Sequence, residues 1–217
     1  MVVNVLVIGA NGNIGKHIVK MLGLSTEHHV KAMIRKEEQK ETMEDLGADE
    51  IVLADLEDDF SHAYEGVDAV IFTAGSGGHT SKEQTEVIDR NGAIKSIEEA
   101  EKHGIARYVM VSAMGAGKPD ETPDNIRHYM KAKGAADEAL EKSRLNYTIL
   151  RPGPLTDASG KGTIRAAKSL SDKNGDIPRE DVASVAVNSL TIEETNHQAF
   201  ELLSGDTSIG AALKEIH

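Results

Sequence analysis

Short runs of β-branched and other apolar residues alternate with longer segments of helical periodicity along most of this 217-residue sequence. Several of the apolar runs are continuous, which is typical of strands that are buried on both faces of a parallel sheet. Because parallel strands need a crossover between them, the alternation predicts βαβ units and an α/β fold. We therefore expect one domain, residues 1–217, with a doubly wound, mainly parallel sheet and helices on both faces.

The predicted elements follow one another regularly along the chain. The predicted strands are residues 2–8, 30–34, 51–54, 69–73, 107–111, 147–150 and 199–203. The predicted helices are residues 13–23, 36–46, 82–103, 125–143 and 179–190. Pro178 precedes the last helix and Gly104 follows the third, in positions typical of helix starts and ends. Two stretches rich in Gly and Pro, residues 115–123 and 153–162, are predicted loops.

The composition excludes several kinds of site. The sequence contains no cysteine, which excludes disulfides, thiolate metal sites and cysteine nucleophiles. Its nine histidines show no metal-ligand spacing, so we predict no metal. A formal net charge of −12 and an aromatic content of 3% argue against nucleic acid as a partner. No segment is apolar over the length of a membrane span, and residues 2–8 are typical of a strand rather than a signal peptide, so we expect a cytoplasmic protein with no membrane partner.

A glycine-rich turn joins the first predicted strand to the first predicted helix, with glycines at Gly9, Gly12 and Gly15. Gly9 can make the tight turn, Gly12 lets the backbone approach a pyrophosphate, and Gly15 lets the helix pack closely on the strand. The N–H groups that begin the helix offer hydrogen bonds and a partial positive charge to phosphates. In this context the pattern predicts a dinucleotide-binding Rossmann fold; the alternative is a plain glycine-rich turn.

Arg35, at the end of the second predicted strand, bears on which dinucleotide is bound. Sites selective for NAD place Asp or Glu near this point to bind the ribose 2′-hydroxyl. A guanidinium instead fits a 2′-phosphate, so Arg35 favours NADP over NAD. Glu37 and Glu38 follow directly and are alternative partners for this arginine. Asp55 ends the third strand near the expected adenine position, and its alternative role is to cap the next turn.

Four further segments lie after predicted strands or on a predicted helix. They are Phe-Thr-Ala-Gly-Ser-Gly-Gly at 72–78, Val-Ser-Ala at 111–113, Tyr-Met-Lys-Ala-Lys at 129–133 and Tyr-Thr-Ile-Leu-Arg-Pro-Gly at 147–153. In this order, the chain resembles the atypical short-chain dehydrogenase/reductase family over essentially its whole length. The resemblance is strongest to small bacterial NAD(P)-binding members that are often labelled as sugar epimerases or epimerase/dehydratases.

The resemblance implies an active site made of Ser112, Tyr129 and Lys133. The family's fourth position, usually Asn, corresponds to Asp89, which departs from the pattern. Tyr129 and Lys133 are four residues apart and therefore share one helix face. In such a site the lysine favours proton loss from the tyrosine, which moves the proton while the serine holds a substrate oxygen. The alternative is structural: a packed tyrosine, a solvated lysine and a serine that completes a turn.

The resemblance also implies the residues around the cofactor, which we expect to be NADP, with NAD less favoured. They are Gly9, Asn11, Gly12, Asn13, Ile14, Gly15, Arg35, Asp55, Leu56, Thr73, Ala74, Gly75, Lys133 and Pro152. Because ligands lie beyond the carboxyl ends of parallel strands, loops 73–78 and 151–155 should flank the nicotinamide and the substrate. His79 is a candidate substrate contact or an exposed loop residue. The glycines and prolines of these loops also have a purely conformational explanation.

Three functions are compatible with these expectations. The first is an oxidoreductase, or an epimerase or dehydratase, that acts on an unidentified small molecule by hydride transfer. The second is a regulatory protein that senses the NADP/NADPH balance without turnover and contacts a partner protein. The third is a flavin or quinone reductase, in which Tyr129 and Lys133 matter little. A homo-oligomer is compatible with all three.

Overall fold

A computed structural model describes residues 2–76 and 81–216, and most of their strands join one sheet. The strands are β1 (Val3–Ile8), β2 (His28–Ile34), β3 (Glu50–Leu53), β4 (Ala69–Phe72), β5 (Arg107–Val111), β6 (Tyr147–Pro152), β7 (Leu155–Thr156), β8 (Thr163–Ala167), β9 (Ile177–Pro178), β10 (Gln198–Ser204) and β11 (Thr207–Ser208). Nine of them form a sheet in the order β11-β8-β10-β6-β5-β4-β1-β2-β3. β7 and β9 form a separate pair.

Helices fill most of the connections between these strands. They are α1 (Asn13–Gly23), α2 (Lys40–Asp45), α3 (Lys82–Gln84), α4 (Ala93–Lys102), α5 (Asp124–Lys142), α6 (Arg179–Asn188) and α7 (Ile209–Lys214). A π-helical segment, Thr85–Gly92, connects α3 to α4. Within the described residues, none of these helices is both long and apolar enough to cross a membrane.

The order of the six central strands determines where a ligand can bind. β3, β2, β1, β4, β5 and β6 lie side by side and all run parallel. The chain winds outward from β1 to β3 and then returns past β1 to β4, so the winding direction reverses between β1 and β4. In open α/β sheets, ligands bind at the carboxyl ends of the strands at such a reversal. Gly9 and Thr73 each follow one of these two strand ends directly.

The two faces of the sheet carry separate apolar cores. Along β1, Val5 and Val7 point to one face, and Leu6 and Ile8 point to the other. The first face packs against α1 and α6, and the second packs against α4 and α5. Strands covered on both sides need apolar residues at every position, which is why β1 has a continuous apolar run. The predicted doubly wound α/β fold is therefore confirmed.

Two predicted helices require correction. Residues 36–46 are not one helix, because a 3₁₀ turn at Glu37–Gln39 precedes α2. Residues 82–102 are helical, but Thr85–Gly92 in their middle has π-helical hydrogen bonding. Such segments frequently occur at functional sites. Sequence periodicity does not distinguish a short π segment from the α-helix around it.

The far edge of the sheet was predicted only in part. The predicted strand at 199–203 is β10, which runs parallel to β6. β8 and β11, which pair antiparallel there, and helix α7 are absent from the prediction. β7 also lies inside the predicted loop 153–162. These elements are short and mix polar with apolar residues, so their local sequence pattern is weak.

Arg107, at the amino end of β5, is a buried cation held only by neutral acceptors in the described residues. Its guanidinium donates to the carbonyl oxygen of Ser189 at 2.8 Å and to that of Asn146 at 2.9 Å. It also donates to the hydroxyls of Thr148 and Thr195. Burial lowers the pKa of Arg107 to about 10. This network joins β5 and β6 to the chain that follows α6. It lies at the amino ends of the strands, whereas the glycine turn lies at their carboxyl ends.

We expect Arg107→Met to lower the free energy of unfolding by about 3 kcal/mol, because it leaves several buried acceptors without a donor. Urea unfolding followed by circular dichroism measures this loss. Arg144→Met is the matched control, since the Arg144 side chain is 90% exposed and should contribute little. Equal stability of Arg107→Met and Arg144→Met would contradict the structural role of Arg107.

Candidate cofactor and substrate site

The turn after β1 brings Gly9 against the end of β4. Gly9 has a φ of +87°, in the left-handed region that favours glycine. A Cβ at this position would lie 2.6 Å from the backbone nitrogen of Ala74, closer than real atoms approach. The N–H of Gly12 donates to the carbonyl oxygen of Gly9 at 2.9 Å and closes the turn. Only glycine suits this position, because its φ is positive and because the ends of β1 and β4 approach closely here.

The start of α1 fits an anionic group. A Cβ at Gly15 would lie 2.2 Å from the carbonyl oxygen of Gly9, so the helix packs directly on the turn. The helix begins after Gly12 with no side-chain cap and no acidic residue in its first turn. Gly12 and Asn13 are exposed, whereas Ile14 is buried. The first N–H groups of a helix have no partner within it, so together with the helix dipole they suit a pyrophosphate.

Arg35 and Asp55 follow β2 and β3 at the same edge of the sheet. Arg35 is exposed, and in the described residues no carboxylate lies within ion-pair distance of its guanidinium. Glu37 and Glu38 are therefore not its partners. Asp55 accepts a hydrogen bond from the N–H of Glu57 at 3.1 Å, so its turn-capping role is present.

The deepest polar contact of the site is the ion pair between Asp89 and Lys133. Asp89 lies on the π segment and is fully buried, and the side chain of Lys133, on α5, is 7% exposed. Lys133 Nζ is 3.0 Å from Asp89 Oδ1. Removing both charges from water is costly unless other hydrogen bonds support the pair. The N–H of Ser76 donates to Asp89 Oδ2 at 3.0 Å, and the Ser76 hydroxyl donates to the same oxygen.

The loop after β4 rests directly on this ion pair. A Cβ at Gly75 would lie 3.0 Å from Asp89 Oδ1 and 3.6 Å from Lys133 Nζ. A glycine here therefore lets the backbone cover the two charges without displacing them. Asp89, where the family usually has Asn, anchors the loop through Ser76. Asp89, one of the four predicted active-site residues, thus positions the loop predicted to flank the nicotinamide.

Tyr129 lies on α5, one helical turn before Lys133, and is half-buried. Lys133 Nζ is 5.7 Å from the centroid of its ring. Burial opposes the charge on Lys133, but Tyr129 and Asp89 outweigh that effect and raise the pKa of Lys133 above its ordinary value. Lys133 is therefore an ammonium at neutral pH, between a phenol and a carboxylate. The arrangement places a fixed positive charge beside a group that can donate or accept a proton.

Ser112, at the end of β5, is buried and belongs to a second polar cluster. Its N–H donates to the carbonyl oxygen of Leu150 at 2.7 Å. Its hydroxyl is close enough to Asp137 to affect that carboxyl, but it makes no well-aligned hydrogen bond in the described residues. Burial raises the pKa of Asp137, although Arg151 and Ser112 oppose this effect. Arg151 Nε donates to Asp137 Oδ2 at 2.8 Å.

Sequence reasoning missed Asp137 and Glu141, although the signal for them was present. Tyr129, Lys133, Asp137 and Glu141 are spaced four residues apart and share one face of α5. Arg151 lies within the predicted flanking loop 151–155, but its role was not predicted. In the structure it bridges the two acids, with Nη2 3.3 Å from Glu141 Oε1.

The other predicted site residues lie at the carboxyl ends of the strands or outside the described residues. Asn11, Thr73 and Ala74 are half-buried, and Leu56 and Pro152 are buried. His79, the candidate substrate contact, lies outside the described residues, as do residues 77, 78 and 80. Within residues 2–76 and 81–216, no group of His, Asp and Glu side chains is arranged to hold a metal ion.

A family model of NAD(P)H-binding proteins matches residues 9–193. The chain belongs to the NAD(P)H-binding family. The matched region begins at the first glycine of the turn and includes Asp89, Ser112, Tyr129 and Lys133. The predicted binding of a nicotinamide dinucleotide is therefore confirmed at the level of the family.

Several proteins that are similar to this chain have names that describe redox or epimerase chemistry. The chain is 46% identical over 215 residues to YhfK of Bacillus subtilis, named an uncharacterized sugar epimerase, and the match covers 98% of this chain and 99% of that one. It is 31% identical to sanguinarine reductase of Eschscholzia californica, over 97% of this chain and 92% of that one. A solved structure from Bacillus halodurans, named for an NAD-dependent epimerase/dehydratase, has a TM-score of 0.95 at 44% identity, over 98% of this chain and 99% of that one.

These matches confirm the resemblance that the motifs predicted. The protein is a Rossmann-type member of an NAD(P)-binding family that resembles oxidoreductases and epimerases.

We expect Asp89→Leu to lower the free energy of unfolding by about 3 kcal/mol, because it leaves the Lys133 ammonium buried without its partner. The double variant Asp89→Leu, Lys133→Met should recover more than half of this loss, since it removes both charges. Urea unfolding of the two single variants and the double variant measures the coupling. Additive losses in the double variant would contradict a direct ion pair.

The same series has an expected pH dependence. Because the pKa of Lys133 is raised in the folded protein, its stabilising contribution is complete below the ordinary lysine pKa and disappears in more alkaline solution. In Asp89→Leu the burial of Lys133 is no longer compensated by the carboxylate, so the pKa of this lysine should fall below its ordinary value. The stability difference between wild type and Asp89→Leu should therefore be greatest near neutral pH and shrink as the pH rises toward the ordinary lysine pKa of about 10.4.

Proposed function

We propose that the protein is an NADP(H)-dependent enzyme that moves a hydride to or from a carbon bearing a carbonyl or hydroxyl group of a small molecule. The transfer is either a net oxidoreduction or a transient step of an epimerisation or dehydration. The observation that carries this proposal is the ammonium of Lys133, 5.7 Å from the centroid of the Tyr129 ring. Lys133 adjoins Gly75 in the loop after β4, and Tyr129 lies one helical turn before Lys133 on α5. A carbonyl that accepts a hydride also needs a proton, and this pair can supply it.

The residues around the glycine turn would hold the cofactor. The N–H groups at the start of α1 bind the pyrophosphate, and Gly12 leaves the backbone open to it. Arg35 binds the 2′-phosphate of NADP, which its guanidinium can contact with two parallel hydrogen bonds. Gly75 and Ser76, held by Asp89, form the wall at the nicotinamide end. The bound cofactor supplies the hydride donor or acceptor.

Tyr129 moves the proton in the proposed reaction. In the reducing direction its hydroxyl donates a proton to the substrate oxygen, and in the oxidising direction the phenolate takes that proton back. Lys133 favours the phenolate through its positive charge. Asp89 positions Lys133 and the loop above it. Ser112 orients the substrate oxygen from the end of β5.

The names of the relatives support one chemistry with two outcomes. A hydride that stays on the substrate gives a reduction, as the name sanguinarine reductase describes for that protein. A hydride that leaves and returns to the same carbon can invert it or allow an elimination, as the epimerase and dehydratase names describe for others. The same proton transfer at Tyr129 serves both outcomes.

A quinone or flavin reductase is the second candidate, and the Asp89 contact favours it. A carboxylate 3.0 Å from Lys133 cancels part of the positive charge that would otherwise activate Tyr129. A reaction that needs no protein proton donor would tolerate this cancellation. The two candidates differ in what they require of the Tyr129 hydroxyl.

We expect Arg35→Ala to weaken binding of NADPH by about tenfold or more, because it removes charge-assisted hydrogen bonds to the 2′-phosphate. Binding of NADH should change less than twofold. Fluorescence titration of both cofactors measures the change. Lys36→Ala is the matched control, since it removes the same charge from the neighbouring exposed position and should have a smaller effect. Equal weakening of NADPH and NADH by Arg35→Ala would contradict the assignment.

We expect Tyr129→Phe to lower kcat for reduction of 4-nitrobenzaldehyde by NADPH at least 100-fold, the range attributed to general acid catalysis. The affinity for NADPH should not change, since the ring is kept. Menadione reduction is measured in parallel to separate the two candidates. Unchanged aldehyde turnover in Tyr129→Phe would contradict the proton-transfer role, and turnover of menadione alone would favour the second candidate.

A further inference from the structure

A cleft beside the proposed reaction site has no role in the cofactor assignment. Its volume is about 470 Å³, which is within the range of small-molecule pockets. Its walls come from the loop after β5, from Arg151 on β6, from Glu201 on β10 and from the segment after β8. Ile126 on α5 completes the lining, so the cleft opens where five parts of the chain meet, beside the carboxyl ends of β5 and β6.

The cleft adjoins the residues proposed to act on the substrate. Met114, in its wall, is two residues after Ser112, and its N–H donates to the carbonyl oxygen of Pro152 at 2.9 Å. Ile126, also in the wall, lies one helical turn before Tyr129 on α5. The cleft is therefore lined by the two elements that carry the proposed reacting residues: the chain that follows Ser112, and α5, which carries Tyr129. Met114 and Ile126 are both apolar, so this part of the cleft suits a ring or a short carbon chain.

The charged lining of the cleft is mainly basic. It contains Arg151, Lys118, Lys168 and Lys173, against two acids, Glu121 and Glu201. This excess of positive charge occurs in a chain whose formal net charge is −12. Ion pairs with acids already balance Arg151 and Lys173, so the charge that remains for a bound anion comes mainly from Lys168 and from the exposed Lys118.

The acids of the cleft are already occupied. The Glu201 carboxylate accepts from Lys173 Nζ at 2.6 Å and from the N–H of Leu170 at 2.9 Å. Glu121 pairs with Lys118 at 3.3 Å, but both side chains are 70% exposed, so this pair is weak and can open. In the described residues, no carboxylate lies within ion-pair distance of Lys168, which is exposed at the rim. Lys168 and Lys118 are therefore free to turn toward an anion.

Arg151 is oriented by its buried partners. Its Nε binds Asp137 and its Nη2 binds Glu141, so these two atoms are occupied. The other terminal nitrogen, Nη1, lies beside Gly117, where a Cβ would be only 3.1 Å away. Gly117 therefore lets the guanidinium lie close to the backbone, and a side chain here would crowd Nη1. The guanidinium is held by two acids, and Arg151 and Gly117 both line the cleft.

A second cleft on the opposite side of Arg151 has the reverse charge. Its volume is about 540 Å³, and its lining includes Asp137, Glu138 and Glu141 against Lys131 and Arg151. An anion is repelled by these acids and is favoured only in the first cleft. The two clefts share Arg151 and Gly117, so the guanidinium separates a basic site from an acidic one.

We infer that the cleft lined by Met114, Ile126, Arg151 and Lys168 binds the substrate, and that the substrate carries a carboxylate or phosphate group. This inference rests on the proposed function, since it places the anion beside the atom that Tyr129 protonates. Arg151 Nη1 binds the anionic group, and Lys168 and Lys118 surround it. Met114 and Ile126 contact the apolar part.

Three probes that share one ring test this inference: phenyl phosphate, benzoate and benzyl alcohol. Each is titrated by ligand-observed NMR into protein saturated with NADPH, so that the phosphate sites of the glycine turn are occupied. We expect phenyl phosphate or benzoate to bind at least tenfold more tightly than benzyl alcohol. The stronger of the two identifies the anion as a phosphate or a carboxylate.

Two variants locate the binding. Gly117→Ala places a methyl group over Arg151 Nη1 without unpairing Asp137, and we expect it to weaken the preferred anion about tenfold. Lys168→Gln should weaken it about threefold, as is usual for an exposed charge. Lys20→Gln is the matched control, because Lys20 is exposed on α1 and does not line the cleft. Circular dichroism checks that all variants fold.

The outcomes separate this inference from the proposed function. Equal affinity for benzyl alcohol and the anionic probes would overturn the inference. It would also be overturned if Gly117→Ala had no effect on anion binding and Lys168→Gln had no more effect than Lys20→Gln. Cofactor binding is measured separately, from NADPH fluorescence without the probes. A protein that binds NADPH but does not distinguish the probes would refute the anion site alone. In a protein that does not bind NADPH, loss of the anion preference in Gly117→Ala but not in Lys20→Gln would place the anion in the cleft and refute the proposed function alone.

Discussion

The ion pair between Asp89 and Lys133 connects the parts of the chain on which the site depends. It joins the π segment to helix α5, which follows only after α4 and β5, and Asp89 also holds the loop after β4. The two charges are buried at the expense of their hydration, and the hydrogen bonds from Ser76 to Asp89 offset part of that cost. Gly75 must then lie flat over the pair. One electrostatic contact therefore positions both the loop and the lysine next to Tyr129.

Helix α5 carries two charge clusters on one face, one turn apart. Lys133 is held by Asp89, and Asp137 is held by Arg151, so each buried charge has its own partner. In the proposed function, the first cluster supports proton transfer at Tyr129. The second holds Arg151, which lines the basic cleft. An acidic protein can thus present a local positive charge to a substrate, because the partners of that charge lie behind it.

The fold could be predicted from the sequence because the patterns that indicate it lie within single strands and turns. A strand segment buried on both faces must be apolar at every position, and residues 5–8 of β1 and 108–111 of β5 meet that condition. The evidence for the glycine turn is equally local, since the positive φ of Gly9 is a property of that one turn. β8, β11 and α7 were missed because their residues are held by neighbours from distant parts of the chain. The π segment was missed because its residues have an ordinary helical pattern.

The sequence by itself determined the order of strands and helices, the turn that suits a dinucleotide, and the presence of Ser112, Tyr129 and Lys133 in the family's order. Only the tertiary structure decided how the charged groups pair. The sequence offers many basic residues that could pair with a carboxylate such as Asp89 or Asp137. In the folded protein a buried carboxylate pairs with the basic residue that the backbone places within reach. The same packing determined that Arg151 lines the basic cleft. The glycine turn is thus readable from its own residues, whereas the chemistry beside it depends on distances between residues that meet only after folding.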